Sequence, residues 1–269
     1  MSTQVTFGIC TGAPGEARAK SLRDAGCDYY EPGVATAVMG PSRAEFDAHL
    51  SSWSEGGLEP RSANLFLPGE LKVVGPEVEP DKVQAYMGEA LQRAKALGIR
   101  RIVFGSGRAR EVPEGFPREE AYRQLKQAAR WASEAAEKAG DGAVICLEHL
   151  RHQETNIMNN LAEAGQIAHE LDLPNVGLVV DIYHLMEEQE DFSVVNEVAD
   201  KVAHVHVCGP ERHPPAPGDE KRLVSLFEKL TGIGYQGRIS IEANFADVEA
   251  EAPTALGVVR HAAGVAGLA

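Results

Sequence analysis

Four short apolar runs, each ending in or beside a polar residue, constrain the fold of this chain more than any other feature. The polar residues are Glu148, Asp181, His206 and Glu242. Apolar runs of this length between turn signals are typical of buried parallel strands. Side chains at the carboxyl ends of such strands lie where α/β barrels carry their chemistry. Three carboxylates and one imidazole meeting there would offer ligands for one divalent cation, so the pattern indicates a metal-dependent enzyme.

Strand-like and helix-like segments alternate along the chain. The predicted strands are 4–10, 27–31, 60–65, 100–105, 143–148, 176–181, 202–207 and 238–242. The predicted helices are roughly 14–25, 43–55, 80–97, 117–139, 159–171, 191–200, 220–232 and 251–266. Eight strands and eight helices in strict alternation predict an α/β fold, a single (β/α)₈ TIM barrel that forms one catalytic domain over residues 1–269.

Composition excludes several classes of protein. The net charge of -14 leaves no excess of basic residues to neutralise phosphates, so no nucleic-acid partner is expected. No apolar run approaches the roughly 18 residues of a membrane span, and the start of the chain lacks a secretory signal pattern. The four cysteines are scattered without a C-x-x-C pair, which favours reduced thiols. These observations predict a cytoplasmic protein without a membrane partner.

Two long loops rich in proline and glycine follow predicted strands, at 105–117 and 208–219. Compact domains favour short connections, so loops of this kind are more often functional than decorative. The segment Gly105-Ser106-Gly107 is too short a signal to predict a phosphate-binding loop.

Strand alternation provides a consistency test, because residues two apart face the same side. His204 then lies one layer below His206, and we expect a buried supporting group there rather than a metal ligand. A single polar residue at a strand end could merely solvate that end. Four of suitable ligand types on consecutive strands favour a site.

The C-terminal half, from about residue 143 to 245, resembles the xylose isomerase-like barrel superfamily of sugar isomerases and epimerases. The resemblance is to its ketose 3-epimerase (D-tagatose 3-epimerase-like) branch. Four motifs carry it: Glu148 followed by Glu154-Thr155 and Asn159, Asp181-Ile-Tyr-His184, His206 with Arg212 before Pro217-Gly218, and Gly234-Tyr-Gln-Gly237 before Ile239-Ser-Ile-Glu242. The N-terminal half agrees in the rhythm of strands and helices.

The resemblance implies a site. Its metal ligands are Glu148, Asp181, His206 and Glu242, holding one Mn²⁺, Mg²⁺ or Co²⁺ ion. Its substrate-binding residues, which hold an open-chain sugar, are Glu154, His184 and Arg212. The resemblance also implies a homodimer or homotetramer. Other interpretations exist for the second set: a helix-terminal charge for Glu154, a solvated loop residue for Arg212, and packing beneath a loop for His184.

The residue types suggest a mechanism for carbohydrate metabolism. Glu148 and Glu242 would act as the catalytic acid and base, one removing a proton beside the carbonyl and the other returning it, through an ene-diolate. Two departures from the family pattern leave the identity of the sugar open. Arg151-His152 replace the usual Asn-Arg pair, and both tryptophans, Trp53 and Trp131, fall in predicted helices. Aromatic residues that could wall the pocket instead are Phe7, Phe66 and Phe104.

Three alternatives remain at this stage. A lyase or dehydratase acting on an inositol- or glycoside-derived ketone would use the same metal and bases. An abasic-site endonuclease would need additional ligands and a basic surface, against which the charge balance argues. A non-catalytic sugar-binding protein would have no need of all four ligands.

Overall fold

The computed structural model describes residues 5–268, in which seven strands form one parallel sheet. The strands are β1 Thr6–Cys10, β2 Tyr29–Glu31, β3 Arg101–Phe104, β4 Val144–Glu148, β5 Val176–Asp181, β6 Val202–Val207 and β7 Arg238–Ile241. Their order in the sheet is β2-β1-β7-β6-β5-β4-β3. Residue 4, the first of the predicted first strand, lies outside the described residues.

The predicted third strand, 60–65, is the main correction to the expected eight. This segment lies between the two edge strands but makes only isolated bridges: Pro60 with Tyr30 of β2, Asn64 with Gly33 just after β2, and Ala63 with Ile102 of β3. Pro60 has no backbone N–H to donate, and Leu65 has a φ of 48° that ends the extended conformation. Continuous pairing is therefore interrupted, and the described residues contain seven regular strands.

Helices cover the outside of the sheet. They are α1 Gly15–Asp24, α2 Arg43–Ala48, α3 Pro80–Ala96, α4 Gly107–Arg110, α5 Arg118–Ala139, α6 Leu161–Leu171, α7 Ile182–Glu187, α8 Val194–Glu197, α9 Glu220–Gly232 and α10 Val248–Val265. Shorter turns of other helix types are Val34–Val38, Leu50–Gly57, Ala199–Lys201 and Pro210–Arg212. Among the described helices, none is long and apolar enough to cross a membrane.

Several helix boundaries differ from the predicted ones. The predicted helix 43–55 divides into α2, whose N-terminus carries a Ser42–Glu45 capping box, and the turn Leu50–Gly57. The predicted helix 191–200 reduces to α8 and a 3₁₀ turn. Two short helices, α4 and α7, were not predicted. The second forms because Asp181 Oδ1 accepts a hydrogen bond from Tyr183 N, 2.7 Å away.

The register of the strands brings the polar strand ends together. Asp181 of β5 pairs with His206 of β6, and His206 pairs with Ser240 of β7. Every residue of β5 is buried, as expected for a strand in a sheet covered on both faces. The sheet therefore delivers side chains from several strands to a single edge.

Helix α6 packs closely against Val198, and substitutions can test this contact. A Cβ atom on Gly165 would lie 2.4 Å from Val198 Cγ1, whereas a Cβ atom on Gly88 of α3 would meet no atom within 4 Å. We expect Gly165→Ala to lower the free energy of unfolding by about 1–3 kcal/mol through overpacking. Gly88→Ala should raise it by about 0.5–1 kcal/mol. Urea unfolding measures the free energy of unfolding of both variants. Equal effects of the two substitutions would contradict the close packing of Gly165 against Val198.

Candidate active site

The four polar strand ends singled out in the sequence lie together at the carboxyl edge of the sheet. Glu148 ends β4, Asp181 ends β5, His206 lies in β6 and Glu242 follows β7. One donor atom from each lies within 4.8 Å of the others. The structure thus brings these four side chains into one cluster.

The imidazole of His206 stands at the centre of this cluster. Its Nδ1 atom lies 3.0 Å from Glu148 Oε1, 3.1 Å from Glu242 Oε2 and 3.8 Å from Asp181 Oδ2. Burial opposes the imidazolium form, but the charges of Glu242 and Glu31 outweigh it and raise the pKa of His206 well above its ordinary value. The ring is held by carboxylates on both of its nitrogen atoms.

Glu31 is a site residue that the sequence reasoning missed. It is 1% exposed at the end of β2, and its carboxylate meets His206 Nε2 at 3.0 Å and His204 Nε2 at 2.8 Å. Ser240 Oγ donates to it at 2.5 Å. Burial raises the pKa of Glu31, yet the two histidines outweigh burial and hold it below the usual range. Glu31 closes the predicted strand 27–31, so the rule that selected the other four residues would have found it.

The cluster has the features of a cation site. Asp181 Oδ2 is buried without a hydrogen-bond partner, and burial raises the pKa of Asp181 to about 6. With Nε2 of His206 directed at Glu31, Nδ1 faces the carboxylates, the arrangement that orients histidine ligands in metal sites. Three carboxylates and one imidazole nitrogen can hold one divalent cation of hard or borderline character.

Arg212 lies beside this cluster rather than in solvent. Its guanidinium hydrogen-bonds to Glu242 Oε2 and lies 3.7 Å from Glu154 Oε1 and 3.9 Å from Asp181 Oδ2. It also stacks 4.8 Å above the ring of Tyr183. The structure therefore brings Arg212 and Glu154 to the same place. Glu154 is not a helix-terminal charge, because α6 begins at Leu161.

His184 is completely buried under the cluster. Its Nδ1 accepts a hydrogen bond from Arg151 N at 3.2 Å, while its Nε2 lies 3.7 Å from Asp181 Oδ2 and has no hydrogen-bond partner. His184 therefore packs beneath a loop and also approaches the site.

The unusual Arg151-His152 pair fastens its loop to α7. Arg151 donates to Glu154 Oε1 and to Glu187 Oε2, each at 2.9 Å. The exposed His152 ring lies 2.6 Å from Glu188 Oε2. These contacts orient Glu154 from outside the cavity.

A cavity of 480 Å³ opens onto the cluster, a size that suits a small ligand. Asn64 also lines it and donates to Glu242 Oε1 at 2.8 Å; the sequence reasoning missed this residue because no strand-end pattern marks it. The expectation of aromatic walls is wrong, since Phe7, Phe66 and Phe104 are buried and the apolar side chains of the lining are aliphatic: Leu65, Leu67, Leu150 and Ala243. Phe66 and Phe104 instead pack edge to face, with ring centroids 5.7 Å apart.

Comparison with known proteins places this geometry in a family. The model of the family described as xylose isomerase-like TIM barrel matches residues 19–261. The chain belongs to this family. The predicted resemblance is confirmed, and so is the TIM-barrel fold, here with seven regular strands.

The relatives of the chain include proteins named as epimerases and others named as isomerases. It is 31% identical over 116 residues to 3-dehydro-D-guloside 4-epimerase of Escherichia coli (strain K12), covering 43% of each protein. It is 32% identical over 110 residues to ketose 3-epimerase of Arthrobacter globiformis, covering 40% of this chain and 38% of that protein. The aligned regions thus span less than half of these curated relatives. The structure of L-ribulose 3-epimerase shares the fold with a TM-score of 0.83, at 18% identity over 98% of this chain and 96% of that one.

The buried network around Glu31 can be tested without any metal. Removing one partner of a buried ion pair costs about 3–5 kcal/mol, because the other partner is left uncompensated. We expect Glu31→Gln to lower the free energy of unfolding by about this amount, measured by denaturant titration in the presence of a chelator. The matched control is Glu249→Gln, which removes an exposed pair with Arg18 and should change stability by less than about 0.5 kcal/mol. Similar effects of the two substitutions would contradict the network.

Proposed function

We propose that this protein is a divalent-metal-dependent sugar isomerase or epimerase that acts on an open-chain, ketose-type sugar through an ene-diolate. The observation that carries the proposal is the convergence of Glu148, Asp181, His206 and Glu242 in one cluster, of which Glu148 and Glu242 line a cavity. The names of the curated relatives support the same class of reaction.

The four clustered residues would hold one Mn²⁺, Mg²⁺ or Co²⁺ ion. Such an ion, when bound, polarises a carbonyl and its neighbouring hydroxyl and stabilises the negative charge of an ene-diolate. Glu31 would keep His206 in the orientation and tautomer that leave Nδ1 free for the ion.

Glu148 and Glu242 would move the proton. Their carboxylates approach His206 Nδ1 from β4 and from the end of β7, so a substrate between them is flanked by two bases. Asn64 and Arg212 each bond one oxygen of Glu242 and fix its orientation. One glutamate removes the proton from the carbon beside the carbonyl. Return by the other glutamate to the opposite face gives an epimer, and return to the adjacent carbon gives an isomer.

The remaining predicted residues would position the sugar. Arg212 presents N–H donors to a carbonyl or hydroxyl oxygen, and Glu154 accepts from hydroxyl groups at the same side of the cavity. His184 would support this side from below, through its contact with the Arg151 backbone. We assign segment 60–64 to the position of the eighth strand of the barrel, since it carries Asn64 to the site. We take residues 1–269 as one catalytic domain.

The two-base scheme predicts that Glu148→Gln and Glu242→Gln each reduce kcat at least about 10³-fold, because each removes one acid–base group and one ligand oxygen charge. Circular dichroism should show an intact fold in both variants. Glu249→Gln, on the exposed surface, is the control and should retain activity. Substantial turnover in both of the site variants would reject the scheme.

Proton exchange identifies the reaction class. We expect the metal-reconstituted protein to exchange the proton beside the carbonyl of a ketose for deuterium in D₂O, with formation of an epimer or aldose and no loss of water. Proton NMR on a panel of free ketoses, ketose phosphates, sugar-derived 2-oxo acids and inositol ketones measures this. Chelation should stop the exchange and added Mn²⁺ should restore it. Loss of a hydroxyl group from the product would assign a dehydratase instead.

A further inference from the structure

The rim of the cavity holds a cation that the proposed mechanism does not use. Arg108 is exposed and lines the same cavity as Glu148 and Glu242. Its guanidinium makes no hydrogen bond or ion pair with any of residues 5–268. By contrast, the guanidinium of Arg212, the other arginine of this cavity, is engaged by Glu242. Arg108 is therefore free to bind a ligand.

The backbone before Arg108 lies close to Glu148 and Glu154. A Cβ atom on Gly105 would lie 2.3 Å from Glu148 Oε2, and a Cβ atom on Gly107 would lie 2.6 Å from the backbone oxygen of Glu154. At Gly107 the close atom belongs to the backbone, so glycine is needed there for this approach. Arg108 follows three residues after Gly105, a chain distance of at most about 11 Å. Since Arg108 forms no ion pair with Glu148, Glu154 or Glu242, its guanidinium lies on the cavity outside ion-pair distance of these carboxylates.

A neighbouring loop fixes the start of the Arg108 side chain. A Cβ atom on Gly69 would lie 2.9 Å from Arg108 Cβ and 3.2 Å from Arg108 Nε, so the side chain runs along this glycine. Ser106 Oγ accepts a hydrogen bond from Leu67 N at 3.0 Å, and Lys72 Nζ donates to the backbone oxygen of Arg108 at 2.8 Å. Segment 67–72 thus holds the backbone at Ser106 and Arg108 and contacts the start of the Arg108 side chain, while the charged end is left without a partner. Ordering of the backbone and of the start of the side chain lowers the entropic cost of binding a ligand at the free guanidinium.

The negative charge of the chain and of the cavity limits what can bind beside Arg108. The chain carries a net charge of -14, and the floor of the cavity contributes several carboxylates, so an anionic ligand would be repelled without a local cation. An arginine fork matches carboxylate and phosphate oxygens in geometry and charge. We propose that Arg108 binds an anionic group, a carboxylate or a phosphate, at the end of the open-chain substrate remote from its carbonyl. This inference rests on the proposed function and narrows the substrate to acidic sugars or sugar phosphates.

Three unreactive compounds that differ in one terminal group test the proposal: ribitol, ribonate and ribitol 5-phosphate. Calorimetric titration into the metal-reconstituted protein should show that one of the two anions binds about 10–100-fold more tightly than ribitol, as a charge-assisted hydrogen bond predicts. Which anion binds more tightly distinguishes a carboxylate from a phosphate. Arg108→Gln should abolish the preference and Arg108→Lys should keep part of it. Arg130→Gln on α5 removes the same charge away from the cavity and should leave the preference intact.

Equal affinity for ribitol and both anions, binding of none of the three, or a preference that survives in Arg108→Gln would each overturn the inference. These results are separate from failure of the proposed function. An anion preference that depends on Arg108, without proton exchange on any sugar, would reject the isomerase and retain the anion site. Turnover restricted to uncharged ketoses, with no anion preference, would retain the isomerase and reject the anion site.

Discussion

The imidazole of His206 is held by carboxylates on both of its nitrogen atoms, and the rest of the site depends on this arrangement. Glu31 binds Nε2 from within the barrel, while Glu148 and Glu242 approach Nδ1 from the cavity side. A buried carboxylate or imidazolium alone would cost several kcal/mol, so these groups are tolerable as a set. Glu31 is itself fixed by His204 and Ser240, which places the orientation of the cluster under the control of the layer below it.

The sheet supplies this arrangement through its register. Parallel strands end at a common edge, and pairing of Asp181 with His206 sets two of the clustered residues side by side. The segment between the edge strands then brings Asn64 to Glu242, although it pairs through isolated bridges. Irregular backbone at this position is part of how the site is built.

The two arginines that line the cavity have different roles. Arg212 is committed to Glu242 and to the ring of Tyr183, and it belongs to the floor where the proton transfer is proposed. Arg108 stands at the rim without a partner, carried there by glycines that let its loop touch Glu148 and Glu154. A substrate with reactive carbons at the floor and a charge at the rim would use both.

The class of fold, the polar strand ends Glu148, Asp181, His206 and Glu242 and the supporting place of His204 could be predicted from the amino-acid order, because hydrophobic runs and strand alternation are local properties. The amino-acid order does not reveal the irregular course of residues 60–65, which depends on Pro60 and a left-handed Leu65, or the reduction of the predicted helix 191–200 to α8 and a short turn. The place of Asn64, the aliphatic rather than aromatic cavity wall and the free guanidinium of Arg108 were decided by tertiary structure alone. Each arises from contacts between loops far apart in the chain, and such contacts leave no periodic signal in the amino-acid order.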